Sequence, residues 1–296
     1  ILYETKAQDL VNLYGDTFET PLLTNDGIVI PEIGLKEALR SEEYLNKVPT
    51  IAGSNKDEIK LWLGFSRYFI ETKQSFLSKG IGIPTVEIKD EEKYQFYNEI
   101  RSKGWQLRGV QEPLENMFIA GNEDLYAYRY DWDNLRDFFV GDFSKIIGSA
   151  HALEIPMISG DFSLAEEFAW IIYPRSPSRR FVSKNMMNFW TEFAKNGVPG
   201  ISSNNILWNK YNPKTGKNIF HIDEKKNLRM DSLNLSMQEL VNEILSSQII
   251  DKEEKCILLY ETTNYIGDNS FDRYLKDVKF NCSRDAVSYT HLTLPT

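Results

Sequence analysis

Histidine and cysteine are scarce in this chain, and long apolar runs are missing. Of 296 residues, three are histidine and two are cysteine. Cys256 and Cys282 are too few for a disulfide framework and lack metal-ligand spacing; a single bridge and two unlinked thiols are both open. No stretch of 18 apolar residues occurs, so no segment reads as a membrane-spanning helix. Basic residues are outnumbered, 34 against 43 acids for a net charge of −9. No basic stripe stands out, which argues against a nucleic-acid partner. Internal repeats and low-complexity linkers are absent. The chain opens Ile1-Leu-Tyr-Glu with no methionine. Any signal peptide is therefore expected to lie outside it, and localisation stays open with a lean to export. At the other end, 287–296 (Val-Ser-Tyr-Thr-His-Leu-Thr-Leu-Pro-Thr) reads as a translated sequencing adapter, which sets His291 aside. Residues 1–286 are taken as part of one domain, and 287–296 as a non-native tail.

What is present is a well-stocked core, 42% apolar and 13% aromatic, enough for one large domain or two small ones. Leu10, Leu13 and Tyr14 suggest a helix closing at Gly15. Asp26-Gly27 supplies a turn residue that tolerates positive φ. A short surface helix is expected over 32–40. The run 48–53 is continuous and apolar, as in a buried parallel strand. It ends in Asn55-Lys-Asp57-Glu58, and 59–65 then reads helical. Tyr94, Tyr97 and Ile100 give 91–104 a helical period with a terminal glycine, and a second helix is expected over 113–120. The segment 124–131 alternates, with Tyr126, Tyr128 and Tyr130 on one face, and reads as a strand. Ser163-x-x-Glu166 has the form of a capping box opening a helix over 163–172. Val182, Met186, Phe189, Trp190 and Phe193 share a helical face over 179–195, stopped by Asn196-Gly197. Residues 208–211 and 218–223 suit a last strand, and Ser236-x-x-Glu239 signals a last helix.

Three stretches carry a resemblance. The first is Gly53-Ser-Asn55-Lys-Asp57-Glu58; the second is Gly148-Ser-Ala-His151-Ala-Leu-Glu154-Ile-Pro156. The third is Trp190-Thr-Glu-Phe193-Ala194-Lys-Asn-Gly197-Val-Pro199. They resemble the strings G-x-N-x-D-E, G-x-x-H-x-x-E-[IL]-P and W-x-x-F-A-x-x-G-x-P of the carboxylesterase type B family, the cholinesterase-like esterases and lipases. The resemblance covers roughly 20–245. It implies an α/β fold, the C-terminal portion of an α/β-hydrolase with a mostly parallel sheet flanked by helices. It also implies a Ser…Glu…His triad in that chain order, with Glu58 as the orienting acid and His151 as the base. The nucleophile would then lie upstream of Glu58, yet no G-x-S-x-G occurs in the chain. The expectation is a serine carboxylic-ester hydrolase lacking its nucleophile half and inactive as it stands. It would act on a small-molecule ester and use no cofactor or metal. The alternative is a non-catalytic binding or adhesion relative.

These residue types suit the chemistry. An imidazole titrates near neutrality, so it can take a serine proton and return it to the leaving alcohol. A buried carboxylate holds its other nitrogen in one tautomer. Asp57 competes with Glu58; the resemblance favours Glu58 and leaves Asp57 as a helix-start acid beside Ser54. Glu154 is expected to bond backbone amides of the loop. Ala152 stands where the family has glycine, and Met157-Ile-Ser-Gly160 departs from an aromatic-rich string, with consequences for the acyl or alcohol pocket. His151-x-x-Glu154 also has the spacing of metal ligands on one helical face. Only His221 remains as a further ligand, and it is expected at the surface of its strand. Gly80-Ile-Gly82 lacks the context of a phosphate loop.

Overall fold

The computed structural model describes residues 25–74, 84–138, 140–264 and 270–283, with a few positions before residue 25. The helix expected around Leu10, the Gly80–Gly82 pair and the tail 287–296 lie outside the described residues.

β1 (Thr50–Asn55) lies parallel to β4 (Leu125–Tyr130), with Thr50 opposite Leu125 and Asn55 opposite Tyr130. On the far side of β4 lies β7 (Ile219–Ile222), again parallel, and β8 (Arg229–Asp231) closes the sheet antiparallel to β7. The order is β1-β4-β7-β8. Two antiparallel pairs stand apart from it, β2 (Ile70–Lys73) with β3 (Thr85–Ile88), and β5 (Asp137–Phe138) with β6 (Gly141–Asp142). This is an α/β architecture with a mostly parallel sheet.

The period-two pattern of β4 divides two cores. Tyr126 and Tyr130 pack with Val182, Met186 and Phe189 of the long helix Pro177–Asn196, and with Trp208. Leu125 and Ala127 point the other way, onto Val110, Leu114, Tyr211 and Ile219. Both faces of β4 are buried, as a central parallel strand requires. A third cluster joins Tyr94, Tyr97 and Ile100 to Leu240, Val241, Ile244, Leu258 and Leu259.

Labelled in chain order, the helices are α1 (Leu35–Arg40), α2 (Lys60–Leu63), α3 (Glu91–Gln106), α4 (Glu112–Ile119), α5 (Phe143–Ile146) and α6 (Ile155–Ser159). They continue with α7 (Ala169–Ile172), α8 (Pro177–Asn196), α9 (Met237–Ser246), α10 (Lys252–Thr263) and α11 (Ser270–Tyr274). Ser176 caps α8 through the Arg179 amide and Gly197 ends it at φ 70, the stop expected from Asn196-Gly197.

Several sequence expectations fail for physical reasons. Gly104 does not end a helix: α3 runs through it and passes by a π turn, Leu107–Gln111, into α4. A Cβ at Gly104 would lie 3.0 Å from Thr262 Cγ2, so this glycine lets α3 and α10 approach closely. The amide and hydroxyl of Ser163 both donate to Asp161 Oδ1, and a 3₁₀ turn, Phe162–Phe168, stands where a helix over 163–172 is expected, ahead of the short α7. Ser236 begins α9 without a side-chain cap. The true capping box is Asp251 with Glu254 on α10. Residues 208–211 are not a strand but a segment tied across β4, through Trp208 Nε1 to the Ala127 carbonyl and the Tyr211 amide to the Leu125 carbonyl. Of the two states left open for the cysteines, the structure has the bridge Cys256–Cys282.

Candidate active site

β1 and β4 end side by side at Asn55 and Tyr130, and in an open parallel sheet the C-terminal strand ends are where ligands gather. The turn after β1 carries Asp57 and Glu58; the loop Gly148–Glu154 folds over it. Three consecutive loop residues are gripped. The Asp57 amide donates to the Ser149 carbonyl at 3.3 Å, and the His151 amide to the Glu58 carbonyl at 3.2 Å. Between them, Asn55 Nδ2 donates to the Ala150 carbonyl at 2.7 Å.

This zippering brings the two predicted site residues together across 93 positions of sequence. His151 Nδ1 lies 2.7 Å from Glu58 Oε2. Glu58 Oε1 accepts from the Asn55 amide, also at 2.7 Å. The Glu58 side chain is 5% exposed and that of His151 is 41% exposed, so the carboxylate is buried behind a ring that faces outward. Burial pushes the Glu58 carboxyl above its ordinary value, against the opposing pull of the Asn55 amide and His151. Because Glu58 carries only acceptors when ionised, its bond to Nδ1 requires a proton on that nitrogen. In the neutral ring Nε2 then carries the lone pair. Among the described residues, no serine hydroxyl bonds to this imidazole.

Two indoles flank the ring. Trp62 and Trp105 each place a ring centroid 5.3 Å from that of His151, and 6.0 Å from each other. Neither was singled out from sequence; they come from α2 and α3, and no local pattern announces a contact between elements so far apart.

Other expectations around the site are corrected. Glu154 bonds no loop amide; its Oε2 accepts from Asn55 Nδ2 at 2.6 Å. Glu154 is thus engaged by Asn55 and His151 by Glu58, and among the described residues no group of three or more His, Cys, Asp or Glu side chains is gathered as metal ligands would be. Asp57 is no helix-start acid but is 4% exposed, enclosed by Asn98, Lys60 and Ser149. Gly148 is small for the sake of Asp57: a Cβ there would stand 2.4 Å from Asp57 Oδ2. Met157 is fully buried among the residues packed under α8.

His221 is not a surface residue. β7 is an interior strand, and His221 is 5% exposed, with Nδ1 3.1 Å from Asp131 Oδ2. Arg129 donates to the same carboxylate through Nε at 2.6 Å and Nη2 at 2.8 Å. Burial would raise the Asp131 carboxyl, but Arg129 and His221 outweigh it and hold it at about 2.

Ala152 adopts φ 67, one of two non-glycine residues among the described ones with positive φ. Left-handed backbone costs an L-residue roughly 1–2 kcal/mol, partly offset by the greater unfolded-state freedom of glycine. Ala152→Gly should therefore stabilise the protein by about 0.5 kcal/mol. A lower denaturation midpoint for that variant would contradict this account of the loop.

A mainly parallel, helix-flanked sheet with an acid and an imidazole paired at its strand ends is of the α/β-hydrolase type. Residues 85–241 match the family model described as the carboxylesterase family, more than half of the chain, and the chain belongs to that family. Glu58 lies before the matched segment and His151 within it. A search of curated proteins finds no match. Among solved structures, a PNB esterase overlays with TM-score 0.47 at 16% identity, covering 78% of this chain and 47% of that one. A thermophilic PNB esterase gives 0.44 at 16%, covering 78% and 47%. The Geobacillus stearothermophilus carboxylesterase EST55 gives 0.46 at 20%, covering 75% and 46%. The chain spans about half the length of these solved esterases.

Proposed function

We propose that this chain is the acid–base half of a serine carboxylic-ester hydrolase. The observation that carries the reading is the 2.7 Å contact between His151 Nδ1 and Glu58 Oε2, made by residues on two different loops of a carboxylesterase-family chain. In this reading Nε2 of His151 takes the proton of a serine hydroxyl as it attacks the ester carbonyl. The resulting imidazolium, held by Glu58, returns that proton to the departing alcohol oxygen. Water then enters along the same route: Nε2 deprotonates it, the acyl-enzyme is cleaved, and the proton goes back to serine. Glu58 stays ionised throughout and keeps the tautomer.

The serine and the amides that stabilise the tetrahedral oxyanion would come from a segment upstream of residue 1, since the chain itself has no G-x-S-x-G. Such a segment would also add strands beside β1, which is an edge of the sheet described here. The 296-residue chain alone is accordingly expected to be inactive and prone to self-association through that edge.

The test is the upstream coding sequence and the enzyme expressed from it. A G-x-S-x-G serine there should react stoichiometrically with a fluorophosphonate, and His151→Ala should abolish the labelling. Another residue at that position, or hydrolysis by the present chain alone, would overturn the assignment; the former outcome would leave a non-catalytic binding protein of the same fold.

A further inference from the structure

Asp57 is a second buried carboxylate beside the acid of the pair, and the ester-hydrolysis scheme leaves it without a task. Its surroundings are those of a built site. Oδ1 accepts from Asn98 Nδ2 at 2.7 Å and lies 3.3 Å from Lys60 Nζ. Oδ2 accepts from both the amide and the hydroxyl of Ser149, each at 3.2 Å. Lys56 Nζ stands 3.8 Å from the same oxygen and 2.5 Å from Asp133 Oδ2. Ser149 is fully buried. The Asp57 amide returns a bond to the Ser149 carbonyl, so the two residues hold each other through backbone and side chain alike.

The anchorage continues outward. Asn98 Oδ1 accepts from Ser102 Oγ at 3.1 Å, one turn along α3, and α3 is packed in the largest apolar cluster. Ser149 stands two residues before His151. Asp57 thus ties the histidine loop to a rigid helix at a point the Glu58 contact does not reach. Removing that side chain leaves the loop to its backbone bonds, the Asp57 amide on the Ser149 carbonyl and the His151 amide on the Glu58 carbonyl, to Asn55 on the Ala150 carbonyl and to the His151–Glu58 contact.

We propose that Asp57 is a positioning residue: through Ser149 it fixes the path of the 148–151 backbone, and thereby the direction in which the free Nε2 of His151 points. It touches no reacting atom. The mechanism is geometric, because a base displaced by about 1 Å from its proton loses on the order of 100-fold in rate while substrate binding is little affected.

The test uses the complete enzyme with Asp57→Asn and the milder Ser149→Ala, which removes one hydroxyl donor and leaves the backbone bonds. Two readouts separate positioning from folding. The first is kcat per active site, counted by fluorophosphonate titration so that unfolded molecules do not enter. It should fall about 10–100-fold in Asp57→Asn and several-fold in Ser149→Ala, with KM within threefold of the parent. The second is the downfield proton resonance of the His151 Nδ1–H bonded to Glu58, which should broaden or move in both variants. This resonance is independent of turnover, so it decides the matter even if the esterase reading fails. Unchanged kcat per titrated site and an unchanged resonance, with only a lower melting temperature, would overturn the proposal. If Asp57→Asn does not fold, Ser149→Ala decides by the same two readouts.

Discussion

Glu58→Gln in the complete enzyme should lower kcat by roughly 10³–10⁴-fold, the magnitude that tautomer reversal carries in serine hydrolases, while leaving the fold intact. The amide is isosteric with the carboxylate, and its oxygen can still accept from the Asn55 amide at the 2.7 Å site. Its NH2 then faces His151 Nδ1, which must become the acceptor. The ring proton moves to Nε2, and the base that should receive the serine proton is already occupied. Stability should move the other way. Burial raises the Glu58 carboxyl above its ordinary value, so its ionised form is disfavoured in the folded state. Any stability tied to this group is full below the unfolded pKa and is lost as pH rises through the higher folded value. Glutamine has no such loss, so the melting temperature at neutral pH should hold or rise. The measurements are kcat for a short-chain aryl ester and a thermal melt on the same preparation. A variant with near-parental kcat would remove Glu58 from the triad; loss of activity together with loss of fold would show that the residue had been misjudged as catalytic.

The second large effect is expected at a position with no chemistry. Gly53 lies in β1 directly opposite Tyr128 in β4, and a Cβ built on it would stand 2.0 Å from Tyr128 Cε1 and 2.1 Å from Cδ1. The ring is partly buried. It is held edge-on by Trp190 at 5.2 Å and by Trp208 at 6.2 Å, and the strand beneath it is hydrogen-bonded on both sides. One methyl group must therefore drive the ring from its indole contacts or push apart the two strands whose ends carry the site. Gly53→Ala should cost about 3 kcal/mol or more, the upper range of overpacking. That is a large part of the roughly 5–15 kcal/mol that keeps a domain folded. Denaturant titration checks the number. In the double variant Gly53→Ala/Tyr128→Ala the two losses should not add, because the second change empties the space the first one invades. A Gly53→Ala protein as stable as its parent would refute the close approach.

Much of the site was legible because its chemistry is written in short contiguous strings. Asn55-Lys-Asp57-Glu58 and Gly148-Ser-Ala-His151 carry residue types and spacings that do not depend on the rest of the molecule. The strand bearing Tyr126, Tyr128 and Tyr130 was legible for a similar reason, since a period of two is a local property. Errors arose where a local signal had a distant cause. Gly104 has the look of a helix stop, yet its missing side chain serves Thr262 across a helix–helix contact. Asp57 has the look of a cap, yet its partners are Asn98 and Ser149. His221 reads as a surface residue because a strand's own sequence does not tell which strands will cover it. The flanking indoles Trp62 and Trp105 had no signal at all, because ring contacts at such separations follow from how α2 and α3 pack.

The amino-acid order alone put the candidates forward: one imidazole in a small-residue loop, two adjacent acids after an apolar run, and no nucleophile elbow. Those are properties of side-chain chemistry and short-range backbone preference, and they survive without a fold. Only the tertiary structure decided which acid faces the imidazole, which one instead grips the loop, and that His221 is enclosed. Parallel pairing of β1 with β4 sets the two loops at neighbouring strand ends, and a contact between residues 93 positions apart exists only once that register has formed.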